Sequence, residues 1–292
     1  MADLSRWPQD YQSAAILTID FNDIHAILTL APEVAGRDKT LSVWRYGTLR
    51  GVDRLLLLLD EQQVKASWCL PAIVGQEQPQ LLQRIVSAGH EIACSGDRHE
   101  DFSSLTLEQQ IASVQRGVEK LSALTGQRPL GFRTPAGQWK PGLAKALAAM
   151  GLRWSSSWRG DDLPYFHPAT SLVELPLHYE MEDEPYFAFN LSPAIPAGQS
   201  RIASYQETLG NMTQDFYGYH RFGLCYLLRL HPEIIGTAGR IGILRELIGT
   251  LKQNNVWIAT AGEVAEYWQG QPGNDASHPA EVFARVTGGD DV

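Results

Sequence analysis

Short apolar runs alternate with helix-period segments along most of this chain, and that alternation is what most constrains its fold. The strand candidates are Ala14–Asp20, Ala66–Leu70, Glu91–Ser95, Gly131–Thr134, Arg153–Ser157, Ser171–Leu175, Leu224–Leu230 and Trp257–Thr260, each stopping at polar residues. Between them, Leu107–Leu124 puts Leu107, Ile111, Val114, Val118, Leu121 and Leu124 on one stripe. Thr106 with Gln109 forms a capping box at its start, and Gly126 lies just past its end. Gly51–Gln62, Pro79–Ala88 and Gly239–Asn254 read as further helices, and Pro141 reads as the opening residue of another. Strands joined by helices must run parallel, since a parallel return needs a long crossover. The pattern predicts an α/β chain forming one irregular barrel, with a doubly wound open sheet as second choice. The 292 residues suit a single α/β barrel of roughly 250 residues. Residues 14–268 form that barrel, 1–13 an N-terminal segment, and 269–292 a Gly/Pro/Asp-rich tail.

In such a barrel, chemistry gathers on the loops at the carboxyl ends of the strands. There the chain places Asp20 with Asn22, Asp23 and His25, then Ser95 with His99, then Arg133, then Ser155-Ser156-Ser157, and finally His231-Pro232. Singly, each has a structural explanation: an Asp ending a strand often closes an Asx-turn, and a lone histidine is often just hydrogen-bonded. An acid, two histidines and an arginine on four different strand ends are hard to explain as packing. His90, His167 and His278 receive no role, and those of His25, His178 and His220 stay open.

The formal net charge of -9, without a basic block, argues against nucleic acid or an anionic membrane as partner. Three cysteines (Cys69, Cys94 and Cys225) without a CxxC pair exclude a disulfide scaffold and a cysteine-rich zinc module. The N-terminus carries no apolar signal core, and no run approaches ~18 apolar residues. The expectation is a soluble, cytoplasmic protein.

The order of motifs resembles the polysaccharide deacetylase superfamily, the NodB-homology fold of carbohydrate esterase family 4. It is most similar to the cytoplasmic branch of metal-independent allantoinases and cyclic imide hydrolases. The resemblance spans Ala14 to Trp268 and rests on Ser42-Val43-Trp44-Arg45-Tyr46-Gly47, Gly89-His90-Glu91-Ile92, Gly131-Phe132-Arg133-Thr134-Pro135, Gly160-Asp161-Asp162-Leu163-Pro164-Tyr165, Asp183-Glu184-Pro185-Tyr186-Phe187 and Leu230-His231-Pro232. It implies a distorted (β/α)7-type barrel with its site on the carboxyl face, and it suggests a homotetramer.

Metal-dependent members carry a second acidic residue two positions after the first, as a metal ligand, and two metal-binding histidines four apart. Here Asn22 and Ser95 stand at two of those three ligand positions, leaving His99. A catalytic zinc usually takes three ligands from His, Asp, Glu or Cys. The resemblance therefore implies a hydrolase without a metal cofactor, opening a small cyclic imide or related cyclic amide. Asp20 is then the general base and His231 the proton donor or oxyanion stabiliser, with Arg133 orienting Asp20. Asn22, Ser95, His99, Trp44, Tyr46 and Trp139 orient water or the ring. Three alternatives stay open: an N-deacetylase holding zinc through rearranged ligands such as Asp20, Asp23, His25 and His99; an allantoinase-type ureide hydrolase; and a non-catalytic binding descendant.

Overall fold

The computed structural model describes residues 6–187 and 203–271. Among the described residues, nine strands form one sheet: β1 (Ser13–Asp20), β2 (Ser67–Leu70), β3 (Glu91–Cys94), β4 (Gly131–Phe132), β5 (Trp154–Ser155), β6 (Tyr165–Phe166), β7 (Val173–Glu174), β8 (Cys225–Leu230) and β9 (Val256–Ala259). Their order is β6-β7-β5-β4-β3-β2-β1-β8, parallel except for β6 against β7. β8 takes one edge of β1 along Ala14–Ile19, while β2 (at Thr18–Asp20) and β9 (at Ser13–Ile16) divide the other. The sheet is therefore curled and incomplete, with helices outside it, which matches the distorted barrel expected. All eight residues of β1 are buried, so this strand is the axis of the core and Asp20 ends it at the centre of the carboxyl face.

The eight expected strands all form, most of them shorter than their apolar runs. Arg153–Ser157 shrinks to two residues because its serines turn away from the ladder, Ser156 toward Arg133 and Ser157 toward Glu174. The helix from Leu107 runs to Thr125 with its capping box in place, and Gly126 closes it at φ 72°. Pro141 does not open a helix: the next one begins at Leu143 behind Gly142, whose φ of 97° a side chain would resist. β6 and the 18-residue helix Tyr205–Phe222 were not expected. That helix fully buries only Thr208, Met212 and Phe216, with Tyr205, Leu209 and Tyr219 packed on the core beside them, so its apolar face is interrupted by polar residues.

The ends are better anchored than their composition implies. Trp7 is buried against Trp257 and Trp268 and donates its indole N–H to the Gly223 carbonyl at 3.0 Å. Gln269 and Gly270 belong to the final helix Ala261–Gly270, and the tail from 272 lies outside the described residues. No described helix is long and apolar enough to cross a membrane.

Candidate active site

Asp20, Arg133 and His231, taken from the ends of β1, β4 and β8, converge. Arg133 leaves β4 and runs inward, its side chain 2% exposed. Nη1 donates to Asp20 Oδ1 at 3.0 Å, while Nη2 donates to Thr18 Oγ1 at 3.1 Å and Ser156 Oγ at 2.8 Å. A surface ion pair is thereby excluded: the guanidinium is locked below the carboxylate by two groups of β1 and the serine that follows β5. Arg229, within β8, claims the other oxygen, with Nε 2.7 Å from Asp20 Oδ2. Its Nη1 donates to Glu182 at 3.0 Å, and Glu182 in turn accepts from Arg159 at 2.5 Å. Burial alone would raise the pKa of Asp20, but the charges of Arg133, Arg229 and His231 outweigh it and hold the carboxyl at about 2. Asp20 is a fixed anion and a weak base.

His231 faces it, Nε2 lying 4.0 Å from Asp20 Oδ2. Its other nitrogen, Nδ1, is 2.7 Å from Asp183 Oδ1, and Asp183 Oδ2 accepts the backbone N–H groups of His231 and Ile235. A fully buried carboxylate thus orients the ring. Burial disfavours the charged imidazole, yet Asp183 reverses that and lifts the pKa to about 10. His231 is an imidazolium at neutral pH with Nε2–H aimed toward Asp20. The loop after it is seated by glycine: a Cβ on Gly51 would lie 2.0 Å from the Pro232 carbonyl oxygen, so only glycine permits this approach. Next along the loop, Glu233 is half-buried. Burial, partly offset by the His231 charge, pushes its carboxyl up to about 8.

The remaining expected residues divide. Asn22 and Ser95 are buried at their strand ends, and Asn22 Oδ1 has no hydrogen-bond partner. His99 is buried at φ 63°, a backbone conformation costly for a bulky side chain, beside Thr29. Burial lowers its pKa to about 4 against the pull of Asp20, so it is neutral. Trp139 donates to Thr134 and packs on Phe132, Trp158 and His167, walling the β4–β5 side. Trp44 packs on the small cluster of Ile27, Ala31, Val34 and Leu41. Tyr46 accepts a hydrogen bond from Arg54 at 2.7 Å.

The open histidines pair elsewhere: His25 with Glu77, His178 with Asp161 and Asp162, His220 with Ser13. Of the residues given no role, His90 accepts from the Ala66 N–H and His167 forms a buried pair with Glu174, while His278 lies outside the described residues. The rearranged zinc set fails with them, since Asp23 is engaged by Thr48 and the Ile24 N–H. Among the described residues no three His, Cys, Asp or Glu side chains come together as metal ligands. An amide and a hydroxyl at positions 22 and 95, with guanidiniums on both oxygens of Asp20, do not fit a divalent cation.

Arg229, Glu182, Asp183 and Glu233 were not identified from sequence. Arg229 had a readable signal, as the one charged residue in the run Cys225–Leu230. Asp183 opens the motif Asp183-Glu184-Pro185-Tyr186-Phe187, whose spacing alone assigns it no partner.

Comparison with known proteins bears on this arrangement. The family profile described as polysaccharide deacetylase matches residues 44–155. A crystal structure of a Mycobacterium smegmatis protein assigned as a polysaccharide deacetylase is 30% identical and superimposes with a TM-score of 0.83 over 89% of this chain and 91% of that one. A peptidoglycan deacetylase-like protein of Gibberella zeae is 26% identical over 240 residues, 70% of each chain. An allantoinase structure, 22% identical with 94% of both chains covered and a TM-score of 0.78, shares the fold. With the 30% identity extending over nearly all of both chains, this chain belongs to the polysaccharide deacetylase superfamily.

Proposed function

We propose that the protein is a metal-independent hydrolase that opens small cyclic imides, or closely related cyclic amides, to half-amide acids. The observation that carries this reading is the pairing of a weakly basic carboxylate with a fixed imidazolium 4.0 Å away, where the described residues form no ligand set for a metal. Such a site cannot produce a strongly nucleophilic hydroxide. It can orient a water and stabilise an oxyanion, so it demands an acyl group that is already electrophilic. A cyclic imide meets that demand, because its leaving nitrogen bears a second carbonyl that delocalises the developing charge. An acetylated amine does not.

In this reading, water held on Asp20 attacks one imide carbonyl, and its proton passes to the carboxylate. The oxyanion forms toward His231 Nε2–H. As the C–N bond breaks, the departing nitrogen, far more basic than imidazole, takes a proton from His231, and the proton on Asp20 restores the imidazolium. Asp183 keeps His231 in the orientation that points Nε2–H inward. Asn22, Ser95 and His99, all uncharged, line the place of water and ring, and Trp139 offers a flat wall to a planar ring.

Ring opening followed in the ultraviolet tests the reading. The panel is succinimide, glutarimide, hydantoin and allantoin, with and without chelator, against N-acetylglucosamine oligomers. Chelator-resistant turnover of an imide is expected. Turnover of the acetylated sugars alone, lost on chelation, overturns it. A cytoplasmic location and a homotetramer belong to the same proposal, and light scattering after gel filtration checks the latter.

A further inference from the structure

Arg229 holds a position that a structural ion pair does not require. Its Nε and Nη1 are used by Asp20 and Glu182, but Nη2 has no partner among the described residues, and the side chain keeps 20% of its surface accessible. Unlike Arg133 Nε and Arg159 Nη1, which are unpartnered but sealed in the interior, Nη2 of Arg229 is not closed off and can meet an incoming acceptor. Its charge acts on three groups of the site together: it lowers the pKa of Asp20 and disfavours protonation of His99 and His231. Its Nε contact of 2.7 Å with Asp20 Oδ2 sets it at the same carboxyl face where Asn22 and Ser95 stand in place of two metal ligands of the metal-dependent members of the superfamily. Glu182, 3% exposed and gripped by Arg159 on its far side, fixes the guanidinium from behind. The result is a cation that is anchored on two sides and open on the third.

We infer that Arg229 is the resident cation of this active site: it occupies the electrostatic place of a metal, and its free Nη2 donates to the substrate oxygen that becomes the oxyanion. The inference deepens the imide-hydrolase reading and rests on it for the chemistry. A guanidinium is always charged and cannot lose its proton, so it polarises a carbonyl at any working pH. Unlike a metal, it does not acidify a bound water, which agrees with the weak base opposite it. At bond formation, electrons move from the carbonyl C=O onto oxygen, and Nη2–H and His231 Nε2–H share that charge. At C–N cleavage they return and the nitrogen leaves with its proton.

Two experiments test it. The first needs no activity. Asn22→Asp and Ser95→His together restore the ligand types of a metal site, and zinc affinity is measured by competition with a chelating dye. With Arg229 intact, the guanidinium repels the incoming dication, and stoichiometric zinc binding is not expected. Adding Arg229→Met to that pair should tighten zinc binding by at least about 100-fold, as expected for a like charge removed from a few ångströms in a shielded site. One tightly bound zinc per chain in the double variant, with Arg229 present, overturns the inference even if the Met variant fails to fold.

The second uses imide turnover. Arg229→Ala should lose about 10²–10³-fold in kcat, the worth of one oxyanion donor, with little change in KM. Added guanidinium should restore part of that loss, which repair of a merely structural defect would not do. An unchanged kcat, or a loss in KM alone, also overturns it. If the wild type opens no imide, the proposed function fails while the zinc measurement still decides the place of Arg229.

Discussion

Two carboxylates near the centre of the sheet receive opposite treatment. Asp20, at the end of β1, is surrounded by cations: Arg133 on one oxygen, Arg229 on the other, and His231 at 4.0 Å. Glu91, at the start of β3, meets only neutral donors, namely Ser67 Oγ at 2.5 Å, Trp154 Nε1 at 3.0 Å and the Gly262 N–H at 3.0 Å. Burial raises the pKa of Glu91, and those hydrogen bonds pull it back only in part. Neutral donors satisfy lone pairs and tie strands together; they do not create a strong field. Glu91 joins β2, β3, β5 and the first turn of the last helix, so it is a staple. Around Asp20, the anchored charges leave the accessible Nη2 of Arg229 and one imidazolium edge open, and a reaction can use these.

The widest separation between the two should appear in turnover. Asp20→Asn and His231→Ala are each expected to lower kcat for imide opening by ~10²-fold or more, the usual worth of one acid–base group. Steady-state kinetics on the best imide of the panel measures this. If both variants keep wild-type kcat, the cationic cluster is no more catalytic than the staple.

Next in size is Arg133. Arg133→Lys keeps the charge but loses the fork that reaches Asp20, Thr18 and Ser156 at once, so activity should fall by at least about tenfold. Removing the charge, as in Arg133→Met, leaves Asp20 short of one buried partner and should cost roughly 3–5 kcal/mol of stability. Urea unfolding of the two variants separates these effects. Wild-type turnover in the Lys variant would return Arg133 to a packing role.

How much of this cluster the sequence discloses depends on where each residue sits. Asp20, Arg133 and His231 end strands in runs of clear β character, and the carboxyl-end rule for barrels points to them directly. Arg229 sits inside a strand whose neighbours are apolar, so periodicity counts it as part of the core. Its partners are 209 and 47 residues away, a separation no local pattern encodes. Asp183 is equally remote from any strand end, and its role exists only because the segment after β7 brings it against His231. Trp44 and Tyr46 show the converse limit: aromatic residues in a motif look alike in sequence whether they line a pocket or fill a gap, and their contacts with the Leu41 cluster and Arg54 appear only in the fold.

A smaller effect is expected at Glu233, the half-buried acid whose pKa lies nearest working pH. Its charge state should modulate the field on His231 and leave the chemistry in place. The wild-type kcat/KM profile should bend near pH 8, and Glu233→Gln should remove that bend while leaving the plateau within about threefold. The His231 contribution follows a different course. Because its folded pKa is raised to about 10, the stability it supplies is complete below about 6.5 and fades as pH climbs through 10. Asp20, depressed to about 2, supplies stability above about 3.8 that is lost only as pH falls through 2. A bend near pH 8 that survives in the Gln variant would assign the titration to another group.

The smallest effect belongs to the staple. Glu91→Gln keeps the shape but turns one oxygen into a donor, which must face either Trp154 Nε1–H or the Gly262 N–H. One unmatched donor costs roughly 1–3 kcal/mol. Against that, the wild-type carboxyl has a raised pKa, so its contribution is complete in acid and declines as pH rises and a half-buried charge must form. Glutamine never forms that charge. The variant should therefore melt several degrees below wild type at pH 4 and closer to it at pH 7.5, while kcat stays within about twofold, since Glu91 begins its strand and Asp20 ends the one it serves. Melting curves at the two pH values and one kinetic assay suffice. If the gap in Tm widens with pH, Glu91 is held as a stabilised anion like Asp20, and the contrast between the two carboxylates collapses.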